Sequence, residues 1–67
     1  MKVVLYSTHC PRCEVLEEKL KKANIEYEEI NDVDTMLAKG YTTTPMLEVE
    51  GKSMEFKEAN SWINSLL

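Results

Sequence analysis

Two cysteines separated by two residues are the feature of this chain most directly suited to chemistry. Cys10 and Cys13 flank Pro11-Arg12 and are the only cysteines among the 67 residues. They follow a short apolar run at positions 3–6, and a stretch with helical periodicity follows them. A helix start presents unpaired backbone N–H groups and the positive end of the helix dipole, and both stabilise the thiolate, the reactive form of cysteine. The spacing therefore predicts a thiol–disulfide redox centre at a strand-to-helix junction.

The positions of the two cysteines predict different roles. We expect Cys10, at the helix start, to be the exposed nucleophile, and Cys13, one turn further on the apolar face, to be the buried resolving thiol. Arg12 places a positive charge beside the pair and either favours the thiolate or is simply solvated. Two alternatives stay open. His9 and the two cysteines form a zinc or iron–sulfur site completed from outside the chain, or the chain is a binding module without turnover.

Length and charge narrow the class of protein. We expect a single domain over residues 1–67 and, by default, a monomer. Eight Lys and Arg stand against twelve Asp and Glu, a net charge of −4, so the clustered basic face of a nucleic-acid-binding protein is not expected. No stretch approaches the ~18 apolar residues of a membrane span, and no leader-like segment precedes the first strand. We therefore expect a cytoplasmic protein with no membrane partner, in which a cysteine pair is typical of redox or metal chemistry.

Hydrophobic periodicity predicts the element order β-α-β-α-β-β-α. The first strand is an unbroken apolar run, as in a central strand buried on both faces. Asn24 and Gly40 are predicted to end the first two helices. The order predicts an α/β protein with the minimal thioredoxin fold, a four-stranded mixed sheet flanked by three helices. Strands are predicted at 2–7, 25–30, 46–50 and 53–56, and helices at 11–23, from 33 to Gly40, and at 58–66, the last with the apolar face Ala59, Trp62, Ile63, Leu66 and Leu67.

The Cys-Pro-x-Cys segment together with Thr44-Pro45 resembles the glutaredoxins and glutaredoxin-like small thioredoxin-fold proteins, over essentially the whole chain. The resemblance implies that Pro45 follows a cis peptide bond and lies against the active-site sulfurs. It also implies that the backbone before Pro45 pairs with bound peptide or glutathione. Pro11, Arg12, Thr44 and Pro45 are accordingly expected to contact substrate.

The same resemblance implies a glutaredoxin-like dithiol–disulfide oxidoreductase. Such an enzyme reduces protein disulfides or glutathione mixed disulfides and holds no tightly bound cofactor or metal. Its implied partners are disulfide-containing proteins and an electron donor, either glutathione or a thioredoxin-reductase-type flavoprotein.

Three departures from the glutaredoxin pattern bear on glutathione binding. The loop Ser7-Thr8-His9 lacks the Lys or Arg that many glutaredoxins carry before the first cysteine. Gly51 stands alone where a Gly-Gly turn is usual, although Lys57 or Glu58 can still contact a ligand there. Arg12 replaces the usual aromatic residue between the cysteines. Thioredoxin itself is a poorer match, because the Trp before its first cysteine and its N-terminal extension are both missing.

Overall fold

The predicted order of strands and helices is confirmed by a computed structural model, which describes residues 2–67. In chain order the elements are β1 Val3–Tyr6, α1 Pro11–Lys22, β2 Glu28–Ile30, α2 Val33–Ala38, β3 Met46–Val49, β4 Lys52–Glu55 and α3 Phe56–Asn64.

The sheet has the strand order β2-β1-β3-β4. β1 runs parallel to β2 and antiparallel to β3, and β3 pairs antiparallel with β4. All four residues of β1 are buried, as the unbroken apolar run predicts. β3 and β4 are joined through Glu50 and Gly51, both with positive φ (51° and 82°), the requirement of a tight two-residue hairpin turn.

The two faces of the sheet are covered unequally. On one face, α1 and α3 pack against the larger core cluster, which includes Leu5, Leu16 and Ile63. On the other face the smaller cluster contains Met36 from α2 and three residues of β1 and β3. The dithiol segment thus begins a helix that is anchored in the larger of the two cores.

Both predicted helix ends are confirmed. Asn24 has φ 58°, and its N–H donates to the Lys21 carbonyl at 3.1 Å. The N–H of Ile25 donates to the Leu20 carbonyl at 3.0 Å. This pair of bonds is the Schellman motif, and the same motif closes α2 at Gly40.

Several boundaries and faces differ from the sequence prediction. β2 is only three residues long, because Ile25 and Tyr27 pack against the core before pairing begins. α3 starts at Phe56, immediately after β4, so this residue is helical rather than extended. Leu66 and Leu67 are 52% and 56% exposed because α3 ends at residue 64, so the predicted apolar face is too long. No helix within residues 2–67 has the length and apolar character needed to cross a bilayer.

Candidate active site

Cys10 caps the N-terminus of α1. Its backbone is extended (φ −72°, ψ 164°), and its sulfur accepts a hydrogen bond from the N–H of Cys13 at 3.2 Å. Pro11 occupies the first helical position, where its missing N–H costs no hydrogen bond. The local sequence therefore aims a half-buried sulfur at the donor end of the helix.

Cys13 lies one turn further along α1 and is fully buried. Burial raises the pKa of its thiol, but hydrogen bonds with Cys10, the Ser7 side chain and the backbone of Thr8 outweigh this effect and leave the pKa below its ordinary value. These contacts favour an anionic sulfur within the dithiol.

The loop before β3 brings a threonine to the dithiol. The Thr44–Pro45 peptide bond is cis, as the resemblance implies. The carbonyl oxygen and the hydroxyl of Thr44 each lie 4.0 Å from the Cys10 sulfur, within the longer reach of sulfur hydrogen bonds. The Thr44 hydroxyl also shares a hydrogen bond of 2.9 Å with the hydroxyl of Thr8. Thr8 is a site residue that sequence reasoning missed, because nothing in its spacing distinguishes it from a solvated loop threonine.

A groove of about 260 Å³ opens beside this loop. Its wall on the α1 side is Arg12, whose guanidinium lies 5.5 Å from the centre of the Phe56 ring in a cation–π contact. Of the four residues predicted to bind substrate, three line the groove, whereas Pro11 does not. The lining residues are Arg12, Thr43, Thr44, Pro45, Glu55, Phe56 and Lys57. Sequence reasoning missed Thr43, Glu55 and Phe56, which come from the loop before β3, the end of β4 and the start of α3 and meet only in the folded chain.

His9 lies next to Cys10 in the chain but joins a different group of side chains. Its backbone has φ 61°, and its Nε2 lies 3.7 Å from a carboxylate oxygen of Glu29. Within residues 2–67, the donor atoms that converge with those of His9 are the carboxylates of Glu17 and Glu29, not the two sulfurs. The structure therefore gives no geometric support to the predicted alternative of a metal held by His9 and both cysteines.

The fold and this dithiol together define a thioredoxin-fold redox protein. No protein-family model matches the chain. A thioredoxin from Methanothermobacter thermautotrophicus is 34% identical over 58 residues, covering 78% of this chain and 75% of the relative. The crystal structure of the thioredoxin-like protein BC3987, a T8A mutant, superposes with a TM-score of 0.75 and 26% identity, covering 98% of this chain and 97% of that one.

The chain therefore belongs to the thioredoxin family, and its class of function is thiol–disulfide oxidoreduction. The match to a thioredoxin does not support the expectation that thioredoxin is the poorer match, and the narrower resemblance to glutaredoxins stays a prediction.

Proposed function

We propose that this protein reduces disulfide bonds in protein substrates through the Cys10–Cys13 pair. The observation that carries the proposal is the contrast between the two sulfurs. The Cys10 sulfur is half-buried at the helix start and accepts the N–H of Cys13, whereas Cys13 is wholly buried one turn away. This is the arrangement expected of an attacking thiol and a resolving thiol.

The proposed reaction consists of two successive thiol–disulfide exchanges. The Cys10 thiolate attacks one sulfur of the substrate disulfide, forms a mixed disulfide and releases the other substrate sulfur as a thiolate. Cys13 then loses its proton and attacks the Cys10 sulfur, which breaks the mixed disulfide and releases the second substrate thiolate. Two electrons pass to the substrate, and the protein is left with a Cys10–Cys13 disulfide.

Substitution of each cysteine separates the two steps. With a disulfide-bonded protein substrate and a chemical reductant, Cys10→Ser is expected to abolish turnover. Cys13→Ser is expected to stop at a stable mixed disulfide on Cys10, visible by mass spectrometry. Serine at position 10 also caps helices well, so loss of activity there does not follow from loss of the helix. Turnover that survives in Cys10→Ser would contradict the assignment.

We propose glutathione as the electron donor, with no tightly bound cofactor and with the cytoplasm as the place of action. Arg12 and Lys57 both line the groove that contains Thr44, the residue 4.0 Å from the Cys10 sulfur. Two cations suit the two carboxylates of glutathione. A second candidate is a thioredoxin-reductase-type flavoprotein, because the relatives carry the names thioredoxin and thioredoxin-like.

The reduction potential of the pair, measured in a glutathione buffer with mass detection, distinguishes the two donors. A potential of about −200 to −230 mV with a glutathione adduct on Cys10 would support glutathione. A potential of about −270 mV without an adduct would support the flavoprotein. A Cys10–Cys13 disulfide that neither donor recycles would instead indicate a binding module. Visible absorbance of the protein after anaerobic purification would indicate an iron–sulfur cluster.

A further inference from the structure

Three side chains that can ligate a metal converge on the side of the molecule where β2 meets α1. His9 comes from the loop before α1, Glu17 from α1 and Glu29 from β2. One donor atom from each lies within 4.8 Å of the other two. The three residues are distant in sequence, and only the parallel β1–α1–β2 unit brings them together.

The two carboxylates of this cluster lie close enough for each to influence the pKa of the other. Burial and the neighbouring Glu29 raise the pKa of Glu17, whereas a hydrogen bond from Asn31 lowers the pKa of Glu29. Lys21 and Tyr27 are further titratable groups that interact with the pair.

Neighbouring hydrogen bonds orient the Glu29 carboxylate and hold the backbone of His9. The Asn31 side-chain amide donates to the Glu29 carboxylate and to the Ser7 carbonyl, both at 2.9 Å. The backbone N–H of His9 donates to the Ser7 hydroxyl at 3.0 Å. Such outer contacts orient metal ligands before the ion arrives.

We propose that His9, Glu17 and Glu29 form a zinc site with three protein ligands and one position open to water. Imidazole and carboxylate are both donors that Zn²⁺ takes, and three protein ligands with an open fourth position is a recurrent zinc arrangement. The site uses neither cysteine, so it stands independently of the proposed disulfide reduction.

The test must keep zinc away from the thiols, which also bind it. We would therefore titrate Zn²⁺ into the full chain carrying Cys10→Ser and Cys13→Ser, following heat by calorimetry and the imidazole protons by NMR. His9 is the only histidine in the chain, so its signals need no assignment. At about pH 7.5 we expect one zinc per chain and a shift of the His9 signals.

Matched substitutions distinguish a site from a diffuse acidic surface. Glu17→Gln, Glu29→Gln and His9→Asn are each expected to weaken zinc binding by about tenfold or more. Asn tolerates the positive φ of residue 9 and removes only the imidazole. Glu18→Gln and Glu28→Gln remove the same charge from exposed positions of the same two elements and are expected to leave the affinity unchanged.

Two results would overturn the proposal. One is unshifted His9 signals at about 1 mM Zn²⁺, which would mean no useful affinity. The other is equal weakening by the Glu18 and Glu28 substitutions. The oxidised natural sequence, with its thiols joined, serves as a second protein if circular dichroism shows that the serine variant has lost its fold.

Discussion

Cys10 receives contacts from two separate parts of the chain. The helix supplies the N–H of Cys13, and the loop before Pro45 supplies the hydroxyl of Thr44. The hydrogen bond between Thr44 and Thr8 links that loop to the segment that carries the cysteine. Thr44 is therefore a positioning residue for the sulfur as well as part of the groove wall.

Replacing Thr44 by valine tests this role. Valine keeps the branched shape of threonine and removes the hydroxyl that reaches both the Cys10 sulfur and Thr8. Because the thiolate loses a donor, we expect alkylation of Cys10 by iodoacetamide at neutral pH to slow by about 2- to 10-fold. The matched control is Thr42→Val at an exposed position of the same loop. Equal rates in the two variants would show that the 4.0 Å contact does not influence the sulfur.

At the level of secondary-structure elements, α3 determines the shape of the groove. Its first residues, Phe56 and Lys57, line the groove, while Ala59 and Ile63 are fully buried in the larger core. The buried face of α3 therefore positions the wall against which Arg12 packs.

Truncation of a buried residue of α3 and of an exposed residue just beyond its C-terminus should have very different effects. Ile63→Ala leaves a cavity in a fully buried site, and we expect it to lower the free energy of unfolding by about 2–5 kcal/mol. Leu66→Ala removes a side chain that is 52% exposed, and we expect a change of about 0.5 kcal/mol or less. Urea denaturation followed by circular dichroism measures both. Equal losses would mean that the end of the chain packs more closely than the structure shows.

The sequence predicts the bounds of those elements whose terminal residues themselves favour a helix start or a helix end. Pro11, Asn24 and Gly40 locate the ends of the first two helices, because each acts through its own backbone conformation. The start of α3 has no such signal, since Glu55 caps it without a side-chain hydrogen bond. The length of β2 is also unpredictable locally, because it depends on where Tyr27 packs against the core.

The residues of the candidate site also fall into two groups, those that the sequence reveals and those that only the fold brings together. The cysteine pair and Pro45 are recognisable because each is part of a compact motif. Phe56 joins the groove, and Glu17 approaches Glu29, only through contacts between distant segments. No spacing rule within one element contains that information.

At the level of the whole molecule, the face of the sheet beneath α2 is stabilised by a polar network rather than by a large core. Lys39 donates to a Glu48 carboxylate oxygen at 2.7 Å, and the Tyr41 hydroxyl donates to the same oxygen. Tyr41 also shares a hydrogen bond of 2.6 Å with Ser53 in β4. The network connects the end of α2 to both strands of the hairpin.

This network predicts a specific dependence of stability on acid. Burial raises the pKa of Glu48, but the hydrogen bonds from Lys39 and Tyr41 outweigh burial and hold it below its ordinary value. A lowered pKa in the folded state means that the contribution of Glu48 is complete above about pH 4.5 and is lost as the pH falls further. We expect Glu48→Gln to lower the free energy of unfolding by about 1 kcal/mol at neutral pH.

The difference between Glu48→Gln and the natural sequence should shrink in acid, where Glu48 is protonated in both the folded and the unfolded chain. Denaturant unfolding at a series of pH values measures this convergence. Glu28→Gln, at an exposed position of β2, is the control for net charge. A difference that stays constant through the acid range would assign the effect of Glu48 to packing instead.

The two edge strands of the sheet, β2 and β4, influence whether other chains can pair with it. β2 is three residues long and carries Glu28 and Glu29, and β4 begins with Lys52 and ends with Glu55. Short, charged rims discourage the addition of foreign strands, which is the first step of fibril growth. We therefore expect both edges of this sheet to resist pairing with strands of other chains.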